Sequence, residues 1–177
     1  MIDTGEDIGG DAERPFEDSV LCATDLSEAS RHALGTAIDL SASLGSATRL
    51  HVLHVHETVE RIDTVQNVVE RWEERKQELE RQIHAEVRSV TARRATPPTV
   101  TVLTAIRSGK AYREILKYAL KAEVTWIVIG THGRTGLGHM LGSVAERIVR
   151  HAPCTVVVAK SPDVRARLAH TLEEHVL

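Results

Sequence analysis

The distribution of apolar residues along the chain predicts alternating strands and helices. Five short apolar runs, many of them β-branched, have the character of strands: "SVLCA" (19–23), "RLHVLHV" (49–55), "TVTVLT" (99–104), "VTWIVIG" (124–130) and "TVVVA" (155–159). The segments between them have apolar residues spaced three or four apart, as in helices. Strand and helix alternating within one domain predict an open, parallel α/β sheet with helices on both faces.

The first two predicted helices have clear apolar faces. We expect Ser27 to cap a helix over 28–44 and Gly45 to end it. Its buried positions are predicted at Ala29, Ala33, Leu34, Ala37, Ile38 and Leu44. The second helix extends through 65–90 with charges on its other face. Its core positions are predicted at Val65, Val68, Val69, Trp72, Leu79, Ile83, Val87 and Val90.

Two shorter helices and two tails complete the predicted organisation. The helices are expected at about 110–122 and 142–151, the latter stopped by Pro153. Residues 1–17 form an acidic segment that we expect to be disordered, and 18–160 form one domain. Residues 161–177 are predicted to form a C-terminal helical extension, because Ser161 and Pro162 provide a helix start and apolar residues follow four apart.

Composition and charge narrow the class of protein. The 177 residues are 42% hydrophobic and 27% charged, without an apolar run long enough to span a membrane. The N-terminal sequence does not resemble a secretory signal, so we expect a cytoplasmic protein. Residues 1–18 hold seven acids and one base, so with a net charge of −3 the remainder is only mildly basic. That balance, with 3% aromatic residues, argues against nucleic acid as a partner.

The glycine-rich segment "GTHGRTGLGHMLGS" (130–143) is the candidate anion site. It has no Gly-Lys-Ser/Thr for a Walker A loop, and "GLGHMLG" starts too far from the strand for a dinucleotide fingerprint. Gly130 ends a strand, Gly133 permits close backbone approach, and Gly142 opens a helix whose first amides favour an anion. The loop after the first strand belongs at the same sheet edge, which would bring Thr24 and Asp25 to the cavity. The alternative is that Asp25 and Gly142-Ser143 only begin helices.

Three segments resemble the universal stress protein family over about residues 18–160: "ATDLSEASRHAL", "LHVLHVHE" and "VIGTHGRTGLGHMLGSVAERIVRHAPCTVVVAK". The resemblance implies a single Rossmann-like domain of the adenine nucleotide alpha hydrolase type, with a five-stranded parallel sheet in the order 3-2-1-4-5. The family has members that bind ATP and members that do not, and the binding branch has G-x2-G-x9-G-[S/T] after the fourth strand. Gly130, Gly133 and Gly142-Ser143 fit that pattern, but eight residues separate Gly133 from Gly142 where the pattern has nine.

The resemblance also implies roles for individual residues. Asp25 matches the acid on the adenine and ribose side, and Val55 the residue whose backbone meets the adenine edge. Ile129 and Gly130 would line the nucleoside, while the later glycines and Ser143 would approach the phosphates. His132 and Arg134 are candidate charge partners for a phosphate, although a solvated arginine is the alternative. The full predicted set is Ala23, Thr24, Asp25, Val55, Ile129, Gly130, His132, Gly133, Arg134, Gly142, Ser143 and Val144.

Other chemistry is weakly indicated. His51, His54 and His56 lie on one predicted strand, but no spaced carboxylate or cysteine completes a metal set, so we predict a packed strand face. Cys22 and Cys154 have no metal-ligand spacing and are predicted to be reduced packing residues. Ser143, His132 and Asp25 are residue types that can form a catalytic triad. The sequence lacks the G-x-S-x-G nucleophile elbow, so we discount this possibility.

Two functional hypotheses are favoured over a third, a phosphate-transfer enzyme. No acid lies between Gly130 and Val144, so we predict no catalytic residues and at most weak ATP hydrolysis. The first hypothesis is a stress-response protein that binds ATP, ADP or AMP, with or without Mg²⁺, and whose conformation or dimerisation responds to the nucleotide. The second is a dimeric interaction module that binds no nucleotide. In both, the resemblance implies a homodimer through strand 155–160.

Overall fold

The computed structural model describes residues 18–45, 47–57, 65–93, 100–131, 141–162, 164–166 and 169. Within these residues five strands alternate with four helices. In chain order they are β1 (Ser19–Thr24), α1 (Glu28–Leu44), β2 (Arg49–His56), α2 (Val65–Thr91), β3 (Thr101–Ser108), α3 (Ala111–Lys121), β4 (Trp126–Gly130), α4 (Ser143–His151) and β5 (Thr155–Ala159).

The strands form one parallel sheet in the order β3-β2-β1-β4-β5. The predicted fold class and strand order are therefore confirmed. The central strand β1 pairs with β2 on one side and β4 on the other, with Val20 opposite both Leu50 and Trp126. The chain reverses its direction of winding between β1 and β4, and the carboxyl ends of these strands flank a crevice where ligands commonly bind in such sheets.

Helices cover both faces of the sheet, as predicted, because the inner strands β1, β2 and β4 are mostly buried on both sides. Strands and the helices α1 and α2 form one core, with Val20, Leu34, Leu50 and Leu79 completely buried. The second core lies against α3 and α4 and includes Leu21, Leu53, Ile115, Ile127 and Ile148. Burial of this apolar area is the main stabilisation of the fold.

The helix ends follow the predicted signals closely. The hydroxyl of Ser27 caps α1 by accepting a hydrogen bond from the Ser30 amide at 3.2 Å. Gly45 follows the helix with a φ of 114°, a conformation that favours glycine. Lys110 and Ala122 flank α3 as its caps, so that helix is one residue shorter at each end than predicted.

Three strand boundaries were predicted wrongly by two or more residues, including the start of the third strand, which lies at Thr101 and not at residue 99. The third strand ends at Ser108, not at residue 104, because Ala105–Ser108 continue the pairing with Leu53–His56. Its last two residues, Arg107 and Ser108, are polar and exposed, so the apolar pattern ends before the strand does. The fourth strand begins at Trp126, not at residue 124; the Val124 amide instead donates to the carbonyl oxygen of Ala119 at 2.9 Å, which closes the end of α3.

The predicted core faces of α1 and α2 are largely confirmed, with some differences. Ala29 and Leu44 in α1, and Trp72 and Val87 in α2, are half-buried, not buried. In α2 the structure adds a buried glutamate, Glu86, between Ile83 and Val90. The side chains of the predicted positions 65, 68 and 69 lie outside the described residues.

The tails stay predictions. Residues 1–17 lie outside the described residues. Of the predicted C-terminal helix, residues 162, 164–166 and 169 are helical, and the Arg165 amide donates to the carbonyl oxygen of Ser161 at 3.0 Å. In the described part of the chain, none of the helices has the length and apolar character needed to cross a membrane.

Candidate functional site

A cavity of about 210 Å³ opens at the carboxyl end of the sheet, above β1 and β4. Nine of the twelve predicted site residues line it: Ala23, Thr24, Asp25, Val55, Ile129, Gly130, Gly142, Ser143 and Val144. They come from four separate segments of the sequence that the parallel sheet brings to one edge. The other three predicted residues, His132, Gly133 and Arg134, lie outside the described residues.

Five further residues line the cavity and were not predicted: Ser30, Ala111, Ile115, Thr131 and Ala145. Ala111 and Ile115 lie one helical turn apart at the start of α3, which follows the edge strand β3. Their spacing indicates only a helix face packed on the sheet, and nothing in it predicts that this face reaches the cavity. Ser30 could have been found from its position three residues after the cap Ser27.

The turn between β1 and α1 uses Asp25 as a structural acceptor. Its Oδ1 accepts a hydrogen bond from the Ser27 amide at 3.0 Å, and Leu26 between them has a φ of 65°. The cap of α1 is Ser27, so Asp25 does not cap the helix itself. Asp25 instead fixes the turn before the cap, and it lines the cavity as well.

Behind this turn lies a buried polar network. The Thr24 hydroxyl accepts from the Leu26 amide at 3.0 Å, contacts the Ser30 hydroxyl at 3.0 Å and donates to Glu86 Oε2 at 3.3 Å. Thr24 and Ser30 also line the cavity, so α2 is connected to the cavity wall through Glu86.

The Glu86 carboxylate is largely withdrawn from water, with 4% of its side chain exposed. Burial raises the pKa of Glu86, and the opposing effects of the Arg31 charge and the Thr24 hydrogen bond are smaller. Arg31 approaches Glu86 Oε1 at 3.5 Å, an ion-pair distance longer than a good hydrogen bond, and the arginine side chain is 54% exposed. The ion pair with Arg31 therefore offsets only part of the free-energy cost of burying the Glu86 carboxylate.

Gly130 has a packing role that the sequence did not reveal. A Cβ atom at this position would lie 3.1 Å from the carbonyl oxygen and 3.2 Å from the carbonyl carbon of Ala29. The first turn of α1 thus passes directly over the end of β4. Glycine at 130 permits this approach and keeps the crevice between the two elements narrow.

The start of α4 is held against the sheet edge. The Gly142 amide donates to the carbonyl oxygen of Thr131 at 2.7 Å, and the Glu146 amide donates to the carbonyl oxygen of Gly142 at 2.9 Å. Ser143 and Val144, the first residues of α4, line the cavity. The first amides of a helix lack intrahelical acceptors, and the helix dipole adds positive potential there, so this wall suits an anionic group.

The three histidines of β2 pack separately. His51 Nδ1 lies 2.8 Å from the Tyr118 hydroxyl, and His54 Nδ1 lies 2.9 Å from the carbonyl oxygen of Thr24. The His56 ring lies 5.5 Å from that of Trp72. Among the described residues, no three histidine, cysteine or acidic side chains are grouped to hold a metal ion.

Both cysteines are free thiols, as their spacing predicted. Cys22 is fully buried and Cys154 partly so, and burial raises the pKa of each thiol. A raised pKa disfavours the reactive thiolate, which fits packing rather than chemistry.

Comparison with known proteins gives the class of the chain. The sequence model described as the universal stress protein family matches residues 18–160. The chain belongs to the universal stress protein family.

Individual relatives agree with this assignment. The chain is 44% identical over 64 residues to universal stress protein MJ0531 of Methanocaldococcus jannaschii, a match that spans 36% of this chain and 38% of that relative. A longer match, 28% identical over 146 residues, spans 80% of this chain and 97% of universal stress protein YxiE of Bacillus subtilis.

Solved structures show the same fold. Universal stress protein UspA from Lactobacillus plantarum superposes with a TM-score of 0.67 at 22% identity, over 81% of this chain and 98% of that one. A universal stress protein in complex with cAMP superposes with a TM-score of 0.55 at 18% identity, over 80% and 95% of the respective chains.

Proposed function

We propose that this universal stress protein binds an adenine nucleotide in the cavity above β1 and β4, and that binding regulates its conformation or dimerisation without fast catalysis. The ligand is ATP, ADP or AMP, with or without Mg²⁺. One observation carries the proposal: nine residues predicted from four distant segments line a single cavity at the switch point of the sheet.

The chemistry of the wall supports a nucleotide. Val55, Ile115 and Ile129 supply apolar surface for a base, while Asp25 offers a carboxylate for ribose hydroxyl groups. The Ser143 hydroxyl and the first amides of α4 are suited to phosphate. A structurally similar universal stress protein is known in complex with cAMP, which is also an adenine nucleotide.

The same wall argues against efficient hydrolysis. A hydrolase needs a positioned water, and usually a metal held by carboxylates near the terminal phosphate. Asp25 lies at the β1 side of the cavity and is engaged with the Ser27 amide, and the sequence from 131 to 144 contains no acid. Binding is therefore proposed to act as a signal, with the nucleotide stabilising the state that holds it.

Titration calorimetry of the purified protein with ATP, ADP and AMP, each with and without Mg²⁺, tests this function. The proposal expects saturable heat for at least one of these nucleotides, and no more than slow phosphate release in a parallel assay. Absence of heat at millimolar nucleotide would refute binding, and rapid phosphate release would show an enzyme.

The alternative, a dimeric interaction module, is favoured by one feature of the sheet. β5 lies at the sheet edge and pairs with β4, and its Val156, Val157 and Val158 are only half-buried. An apolar edge strand is suited to pairing with a second copy through residues 155–160. Sedimentation of the apo and nucleotide-saturated protein separates the two functions: a dimer that forms equally without nucleotide, in a protein that binds none, supports the module.

A further inference from the structure

A second cleft adjoins the candidate nucleotide cavity. It has a volume of about 530 Å³ and lies between the N-terminal ends of α3 and α4. Its walls are Glu57, Gly109, Lys110, Tyr112, Ser143, Val144 and Arg147. Ser143 and Val144 also line the first cavity, so a ligand lying over them reaches both spaces.

Cationic side chains surround one aromatic ring in this cleft. The guanidinium of Arg147 lies 4.6 Å from the centre of the Tyr112 ring, and that of Arg113 lies 5.8 Å from it. Arg113 Nε also donates to the Tyr112 hydroxyl at 2.9 Å. This hydrogen bond, with the charges of Arg113, Arg147 and Lys110, lowers the pKa of Tyr112. The stacked ring restricts Arg147 beside the cleft, where its charge is presented to a ligand.

Among the described residues, the neighbouring acids leave this positive charge largely uncompensated. Glu114 pairs with Lys117 at 2.8 Å, and Glu146 pairs with Arg150 at 3.0 Å. The remaining acid of the cleft is Glu57, whose Oε1 accepts a hydrogen bond from the Ala111 amide at 3.1 Å. Two cations that line the cleft, Lys110 and Arg147, therefore outnumber its one carboxylate, which is engaged with the backbone of α3.

We propose that this cleft is a second anion subsite, which holds the outer phosphate of a nucleotide whose nucleoside occupies the first cavity. Lys110 and Arg147 contact that phosphate, and Glu57 opposes it. The subsite rests on the proposed function, and it makes the site selective for a nucleotide with several phosphates over a monophosphate. The selectivity comes from charge at the ends of α3 and α4, outside the glycine-rich segment.

Calorimetric titration with ATP, AMP and adenosine tests the subsite in four variants. Lys110→Gln and Arg147→Gln each weaken ATP binding roughly fivefold, as expected for the loss of one exposed ionic contact. The affinity of either variant for adenosine stays within about twofold of that of the unmodified protein. Arg147→Lys keeps the charge but loses the planar guanidinium over Tyr112, so its affinity for ATP falls between those of the unmodified protein and Arg147→Gln. Glu57→Gln retains an acceptor for the Ala111 amide but removes the opposing charge, so ATP binding tightens roughly twofold or more.

Arg150→Gln is the matched control. It removes the same charge one turn further along α4, where the arginine pairs with Glu146, and it should leave the ratio of ATP to AMP affinity unchanged. Thermal melting of each variant checks that the fold is retained. If Lys110→Gln and Arg147→Gln leave that ratio unchanged while remaining folded, the subsite is wrong. The subsite is also wrong if Arg150→Gln lowers the ratio of ATP to AMP affinity as much as these two variants do.

Failure of the proposed function is distinguishable from failure of the subsite. If the unmodified protein binds no adenine nucleotide, inorganic tripolyphosphate becomes the probe. Binding of tripolyphosphate that the Lys110→Gln and Arg147→Gln double variant loses, and Arg150→Gln keeps, supports an anion subsite without a nucleoside. Absence of tripolyphosphate binding in such a protein would overturn the subsite as well.

Discussion

The Gly142 amide donates a hydrogen bond of 2.7 Å to the carbonyl oxygen of Thr131, which joins the start of α4 to the end of β4. Eight residues separate Gly133 from Gly142, one fewer than the pattern of the ATP-binding branch. The hydrogen bond shows that this shorter connection still returns the chain to the sheet edge. Ser143 and Val144 consequently line the cavity, and the shortened segment does not remove the helix start from the site.

Insertion of one residue between Arg134 and Leu141 tests whether connection length limits binding. Because Gly142 already reaches Thr131, we expect the insertion to change ATP affinity by less than about tenfold, which corresponds to roughly 1.4 kcal/mol. The measurement is calorimetry on the insertion variant and the unmodified protein side by side. ATP binding seen only in the insertion variant would support the non-binding alternative.

Gly130→Ala should destabilise the protein by about 1–3 kcal/mol, the usual cost of overpacking a close-packed site. The new Cβ would meet the carbonyl group of Ala29 at 3.1 Å, and backbone atoms cannot rotate away. Urea denaturation measures the change. An unchanged midpoint would show that α1 shifts freely above β4 and that glycine is not required there for packing.

Glu86→Gln should flatten the dependence of stability on pH. Since burial raises the pKa of Glu86 in the folded state, the folded protein binds this proton more tightly than the unfolded one. The Glu86 contribution to the free energy of unfolding is therefore greatest below the ordinary glutamate value of 4.5 and falls as pH rises through the raised folded value.

Glutamine keeps an acceptor for the Thr24 hydroxyl but carries no charge, so the variant should gain stability relative to the unmodified protein as pH rises above 4.5. Urea denaturation between pH 4 and 8 checks this. Exposed Glu74→Gln, on the same helix, is the control. A loss of stability at pH 8 in Glu86→Gln would show that the ion pair with Arg31 outweighs the cost of burial.

His51 should make the opposite contribution at mildly acidic pH. Burial, with a smaller effect from the Arg49 charge, lowers the pKa of His51. A lowered histidine pKa means that the unfolded state binds the proton more tightly, so stability is lost as pH falls from 6.5 towards the folded value. His51→Gln should reduce that loss.

Denaturation of His51→Gln at pH 7.5 and pH 5.5 measures the effect, with His84→Gln as an exposed control on α2. The His51 imidazole contacts the Tyr118 hydroxyl at 2.8 Å, so a general loss of stability of about 1 kcal/mol is expected at both pH values. An equal slope with pH in His51→Gln and the unmodified protein would contradict the assignment.

The sequence predicted the fold well because its signals were local and mutually consistent. Ser27 and Gly45 mark the ends of α1, and the apolar runs mark strands buried on both faces. The edge strand β3 was predicted to end too early, because its exposed end has little apolar character. Residues at the carboxyl ends of parallel strands share one edge of the sheet, which is why nine predicted site residues line one cavity.

Other parts of the site depend on contacts between distant residues and could not be predicted. Glu86 reaches Thr24 across 62 positions of sequence, and a single glutamate on a charged helix gives no sign of being buried. The approach of Ala29 to Gly130 is a backbone contact without a sequence pattern. The cationic cleft arises because α3 and α4 begin side by side, which neither helix reveals separately.

Titration of ATP into the unmodified protein and two tryptophan variants tests the central claim most directly. Ala111→Trp places a large side chain in the cavity wall, whereas Lys121→Trp adds the same ring at the opposite, exposed end of α3. Thermal melting first checks that all three proteins are folded. We predict saturable heat for the unmodified protein and Lys121→Trp. For Ala111→Trp we predict that the affinity for ATP falls by at least about tenfold. Absence of heat in the unmodified protein at millimolar ATP, or equal affinity in Ala111→Trp, would contradict nucleotide binding in this cavity.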